Sequence, residues 1–139
     1  MIERGDKMIG IHIPAGWKHG PLERNECEKS LKQAEEFFSR HFPEHDFKAF
    51  ICCSWLLDPQ LSVALGSPSN ISQFQSRFHL VPVNGDDHQT LERVFDGKFS
   101  SWDSAPQDTS LRRAIISHAK HGGVWREVFG FILRDSFLC

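Results

Sequence analysis

The chain has 139 residues, 40% of them apolar, and a formal net charge of −2. That length suits one domain spanning 1–139, with a core that needs no staple. Basic residues are scattered, with no Lys/Arg run or basic–aromatic interleaving, which argues against a nucleic-acid surface. No stretch is long and apolar enough to span a bilayer, and the start lacks the apolar region of a signal peptide. Cys27, Cys52, Cys53 and Cys139 form no CxxC pair. They read as free thiols rather than a disulfide framework or zinc site, which places the protein in the cytoplasm.

The chain is organised around Ile9–Phe38. Ile9, Ile11 and Ile13 alternate with Gly10 and His12, the period of a half-buried strand, and Pro14 ends the ladder. A loop with Gly16 and Gly20 follows. Pro21 suits the first turn of a helix, Leu22–Phe42, whose apolar stripe is Leu31, Ala34, Phe37 and Phe38. Phe47–Leu57 is apolar on both faces, so it is expected as a central strand covered on both sides, parallel to the first. Asp58 and Pro59 open a short helix that Gly66 closes. Ser69 or Asn70 caps a second helix, Ile71–Phe78. His79–Val83 is a third strand, with Pro82 marking an edge or a bulge. Asp86–Phe95 and Ser110–His121 read as helices, the second capped by Asp108 or Thr109. Val124–Phe137 is the last strand, where Gly130 marks a bulge or a close contact. The order β-α-β-α-α-β-α-α-β predicts an α/β or α+β sheet flanked by helices.

Several residues could carry chemistry. The strand–loop–helix stretch fits an anion site, to which Lys18, His19 and Arg24 would add positive charge. It also fits an ordinary strand-to-helix connection, since Glu23, Glu26 and Glu28 already supply acid there. His12 faces away from the isoleucine stripe, beside the glycine loop. It is placed either as a general base or as a solvent-facing structural histidine. Ser54 and Trp55 end the second strand, where ligands bind in open α/β sheets. No GxSxG surrounds Ser54, which argues against a nucleophile elbow. His118 and His121 lack a third ligand nearby, so no metal is expected.

The blocks HIP, GPL, FF–HFP, CSWLLD, SNI–F and TSLRRA stand in one order between Gly10 and Leu133. Together they resemble the carboxy-terminal domain of GNAT-like acyltransferases. The resemblance implies a mixed sheet whose strands splay to admit the pantetheine arm of acetyl-CoA or another acyl-CoA. It implies acyl transfer to an amine acceptor. The loop Ala15–Gly20 would then lead to the pyrophosphate, with Gly16, Lys18, His19, Gly20 and Arg24 near the cofactor. Within that scheme His12 is the candidate base and Ser54 the candidate proton donor to the leaving thiolate. The backbone N–H of Ile13 would serve the thioester carbonyl, and Trp55 would lie against the cofactor.

The chain departs from the family in three ways. It has no Tyr, the residue such enzymes commonly use as the acid. Its loop is not RxxGxG or QxxGxG. Family members carry a further amino-terminal half, and only six residues precede Lys7 here. The sheet is therefore expected to be completed by a second copy or by the missing half. The alternative is a non-catalytic module that keeps the fold and binds a partner or dimerises.

Overall fold

The computed structural model describes residues 1–14, 22–66, 68–81, 83–97 and 100–137, the side chain of Phe137 excepted. Its elements are β1 (Met8–Gly10), α1 (Arg24–His41), β2 (Ala49–Ser54), a 3-10 turn at Trp55–Leu57, α2 (Pro59–Leu65), α3 (Asn70–Gln75), β3 (His79–Val81), α4 (His88–Phe95), α5 (Ser110–Lys120), β4 (Val128–Leu133) and a last 3-10 turn at Arg134–Phe137. This is the order read from the sequence. The strands form one mixed sheet in the order β1-β2-β4-β3. β1 and β2 are parallel, with Ile9 opposite Phe50. β4 is antiparallel to both β2 and β3. β2 is therefore interior, as its apolar run implied. A parallel pair needs a crossover, and the 18 residues of α1 provide it.

The helix boundaries follow local chemistry. The Asp58 side chain accepts from the Gln60 N–H at the start of α2, and Gly66 ends that helix at φ 75°. At α3, Ser69 and Ser72 bond each other's backbone N–H groups, a capping box. Thr109 caps α5 by accepting from the Arg112 N–H. α1 is fastened to the far end of β4 by Arg134, which bonds Glu35 at 3.0 Å and Asp46 at 3.0 Å.

Two apolar clusters form the core. In the first, Ile9, Phe50, Cys52 and Ile132 of the sheet meet Leu31 of α1 and Phe74 of α3. In the second, Leu61, Val94, Phe95, Ile115 and Ile116 of α2, α4 and α5 surround Trp125. The Trp125 indole N–H donates to the Ile115 carbonyl, so its polar edge is satisfied inside the cluster.

Three expectations change. β2 is covered unevenly: Phe50, Cys52 and Ser54 are buried on one face, while on the other Ala49 is buried, Ile51 half-buried and Cys53 exposed. The helices of the first cluster pack on the Phe50–Cys52 face, and among the described residues no helix packs over the other. β2 also stops at Ser54 rather than Leu57, because the backbone turns there into the 3-10 segment. β4 is shorter than Val124–Phe137 at both ends. Trp125 is drawn into the second cluster, the Arg126 N–H donates to Asp58 Oδ2, and the Glu127 N–H to the Asp86 carbonyl, so these residues leave the ladder. Its far end winds into the closing turn.

Gly130 is a close contact rather than a bulge, since its pairing with Cys52 and Leu80 is in register. A Cβ there would lie 3.0 Å from Leu57 Cδ1 and 3.1 Å from Phe78 Cδ1. Gly130→Val should therefore overpack the first cluster and cost about 1–3 kcal/mol. Urea unfolding would show this as a lower midpoint with an unchanged slope.

Candidate functional site

The site lies where β1 and β2 end side by side. Ile11 makes a last bond across, its N–H donating to the Ile51 carbonyl at 2.7 Å. Beyond that bond β1 leaves the ladder toward Pro14, and β2 turns at Trp55. A pocket of about 350 Å³ opens between them. Ile11, His12, Ile13 and Pro14 line it from one side, and residues 52–56 from the other. Gln89 and Arg93 of α4 complete the lining.

His12 is exposed on the side away from the core, while Ile11 and Ile13 pack on the first cluster. Its ring folds back over Gly10: Nε2 lies 3.6 Å from where a Cβ on Gly10 would stand. The absence of a side chain at Gly10 gives the ring that room.

Ser54 is 7% exposed, and its Oγ accepts from the Leu56 N–H at 3.2 Å. That bond caps the 3-10 turn. Two glutamines fix the turn. Gln89 Oε1 accepts from the Trp55 N–H at 3.4 Å. Gln75 Nε2 donates to the carbonyls of Leu56 and Asp58, both at 2.8 Å, and Ser62 Oγ donates to Gln75 Oε1. Trp55 is half-buried and packs on the second cluster while lining the pocket, so it is both core and wall.

The cysteines of the lining are poor nucleophiles. Burial, with the neighbouring Cys53, pushes the Cys52 thiol up to about 11. Burial and the nearby Glu127 carboxylate raise Cys53 as well; its Sγ lies 3.9 Å from Glu127 Oε2. Neither supplies much thiolate near neutral pH. Among the described residues the lining contains a guanidinium and an imidazole but no carboxylate.

The structure thus brings together His12, Ile13, Ser54 and Trp55. Gly16, Lys18, His19 and Gly20 lie outside the described residues. Arg24 opens α1 and is not part of the pocket lining. It bonds Glu28 at 3.1 Å, and Glu28 also takes Arg77 at 2.7 Å. Hydrogen bonds from Arg77 and then Arg24 hold the Glu28 carboxyl below its usual range. His118 bonds Gln60 Oε1 at 2.8 Å and His121 the Ser117 carbonyl at 2.7 Å, so the two rings serve separate partners. No local pattern singles out Gln89 and Arg93. Their i,i+4 spacing puts them on one face of α4, but nothing local says that this face returns to the ends of β1 and β2.

A mixed sheet whose two parallel strands end together at a pocket, with helices packed against it, is the architecture of the GNAT acyltransferases. The chain belongs to the GNAT-like C-terminal domain family, whose model matches residues 1–132. Solved structures agree. An acyltransferase in complex with decanoyl-CoA superposes with a TM-score of 0.82 at 35% identity, covering 94% of this chain and 41% of that one. An acyltransferase in complex with decanoyl-CoA and teicoplanin gives 0.80 at 40% identity, over 89% of this chain and 40% of that one. A mutant acyltransferase in complex with octanoyl-CoA gives 0.79 at 38% identity, with the same coverage. This chain therefore spans about 40% of the length of the structures it matches. A comparison with curated proteins returns no significant match.

Proposed function

We propose that this chain is the acyl-CoA-binding, carboxy-terminal part of an N-acyltransferase that moves an acyl group from CoA to an amine. The observation that carries the reading is the pocket at the paired ends of β1 and β2, which holds His12 and Ser54 together. The family and the acyl-CoA complexes of its structural neighbours support it.

In this scheme His12, as neutral imidazole, takes the proton of the acceptor amine as its nitrogen attacks the thioester carbonyl. The Ile13 N–H is directed at the oxygen that becomes negative in the tetrahedral intermediate. The carbon–sulfur bond then breaks, and the Ser54 hydroxyl gives its proton to the thiolate. Ser54 takes the place of the tyrosine that such enzymes commonly use. Trp55 lies along the pantetheine arm. The loop from Ala15 to Gly20, with Lys18, His19 and Arg24, receives the pyrophosphate near the start of α1.

Acetyl-CoA is the simplest donor for this scheme, and the longer thioesters of the neighbours extend the class. No described helix is long and apolar enough to cross a membrane, and we place the reaction in the cytoplasm. Among the described residues β1 is an edge strand, with one side unpaired. A second copy or a further segment of polypeptide would complete it there.

Calorimetric titration with CoA tests the reading: saturable one-site binding is expected, and no binding would refute it. Gly20→Val should block the backbone from approaching the phosphates. It should weaken CoA binding while leaving the thermal transition in place. Normal CoA affinity in that variant would remove the loop from the phosphate site. A second reading, a non-catalytic module that keeps the fold, is favoured by the absence of Tyr. It predicts CoA or partner binding without turnover.

A further inference from the structure

Of the described residues lining the pocket at the ends of β1 and β2, Arg93 is the one with a permanent charge, and the acyl transfer derived above does not use it. The arginines that fasten the fold are paired with carboxylates of the chain: Arg77 with Glu28, Arg112 with Asp108, and Arg134 with Glu35 and Asp46. Arg93 makes no hydrogen bond or ion pair among the described residues. Its helix is nevertheless held in place. Thr90, Val94 and Phe95 are buried, and Arg112 Nε donates to the Val94 carbonyl at 3.0 Å. One turn before Arg93, Gln89 Oε1 accepts from the Trp55 N–H at 3.4 Å, which ties this face of α4 to the turn that ends β2. A held helix thus presents an exposed, unpaired guanidinium at a pocket whose described lining has no carboxylate.

The side from which α4 arrives matters. Asp86, on the approach to α4, accepts from the Glu127 N–H at 3.1 Å, and Glu127 Oε2 lies 3.9 Å from Cys53 Sγ, on the exposed face of β2. His12 also faces away from the core. α1 packs on the buried face, and the loop assigned above to the pyrophosphate leads to α1. Arg93 therefore belongs with the base rather than with the phosphates.

We propose that Arg93 selects the acceptor, which is a primary amine carrying a carboxylate, such as an amino acid; the inference rests on the acyl-transfer reading above. The amine stands at His12 and the carboxylate on the Arg93 guanidinium, whose planar fork matches two carboxylate oxygens. Glu127, beside Cys53, repels an acid group placed there, which leaves the guanidinium to draw it. Arg93 acts on binding and orientation, and the bonds made and broken in the transfer are unchanged.

The test compares β-alanine, 4-aminobutyrate and 6-aminohexanoate with their carboxamides, which keep the amine and lose the charge. Each is titrated into the CoA-saturated, unmodified protein and followed by amide chemical shifts, so the measurement needs no turnover and no variant. At least one acid should bind roughly tenfold more tightly than its carboxamide. That preference should shrink at about 1 M salt, because an exposed pair is screened. Arg93→Gln should abolish the preference and Arg93→Lys retain part of it, while affinity for CoA and for the carboxamides stays the same. In the transfer reaction Arg93→Gln should raise KM for the acid toward that of its carboxamide. Equal affinity for acid and carboxamide in the unmodified protein overturns the proposal, as does a preference that survives Arg93→Gln. Loss of CoA affinity in Arg93→Gln overturns it too, and assigns the guanidinium to a CoA phosphate. In these three outcomes CoA binds the unmodified protein and the acyl-CoA reading stands. Failure of CoA to bind the unmodified protein overturns both.

Discussion

His12→Ala should lower acyl transfer by about 10²–10⁴-fold, the usual contribution of a positioned general base. The affinity for CoA should change little. The structure makes the variant informative, because His12 is exposed and no hydrogen bond within the described residues depends on it. Its ring only rests over Gly10. Loss of turnover therefore reports chemistry rather than unfolding. The comparison is made with an amine on which the unmodified protein is active, following CoA thiol release, and CoA binding is measured in parallel. Full transfer activity in the variant would make His12 a structural residue and would pass the role of base to another group.

Asp58→Ala should cost about 2–4 kcal/mol of stability. Asp58 is 2% exposed, and its carboxylate joins three parts of the chain. Oδ1 accepts from the Gln60 N–H at 3.0 Å and caps α2. Oδ2 accepts from the Arg126 N–H at 3.0 Å, holding the approach to β4, and from Gln60 Nε2 at 3.0 Å. Gln60 in turn donates to the Val124 carbonyl through Nε2 and accepts from the His118 ring at Oε1. Alanine would remove the cap and leave the Arg126 N–H without its carboxylate partner. Asp58→Asn keeps an acceptor for the cap but presents an amide to one of the donors, so it should fall between the two. Urea denaturation ranks the three proteins. A midpoint for Asp58→Ala equal to that of the parent would mean that the α2 and β4 connections are held by packing alone.

Much of the architecture was legible because its signals are local. Period-two isoleucines marked β1, and the long apolar run of β2 marked an interior strand. Asp58-Pro59, Ser69, Thr109 and Gly66 marked helix ends because capping and left-handed backbone depend on neighbouring residues alone. The ordered motif blocks carried the family, and the matched model and structures agree with them. The boundaries failed where a distant partner decided the outcome. β4 is short because Asp58, Asp86 and the second core cluster draw off residues 125–127, and none of these is near in sequence.

The same division holds for the site. Sequence alone determined that His12 faces away from the isoleucine stripe and that an apolar strand runs through Ser54, since alternation is written in a few adjacent residues; it carried those strands to Ile13 and Leu57, past the ends of the ladders at Gly10 and Ser54. Tertiary structure alone decided that these two ends meet. It also decided that α4 brings Gln89 and Arg93 against them, and that one face of β2 is left exposed toward Cys53 although both faces are apolar in sequence. An apolar residue records that it is better removed from water, but not what removes it. That depends on which side of the sheet the crossing helices take, and it is fixed only when the whole chain has packed.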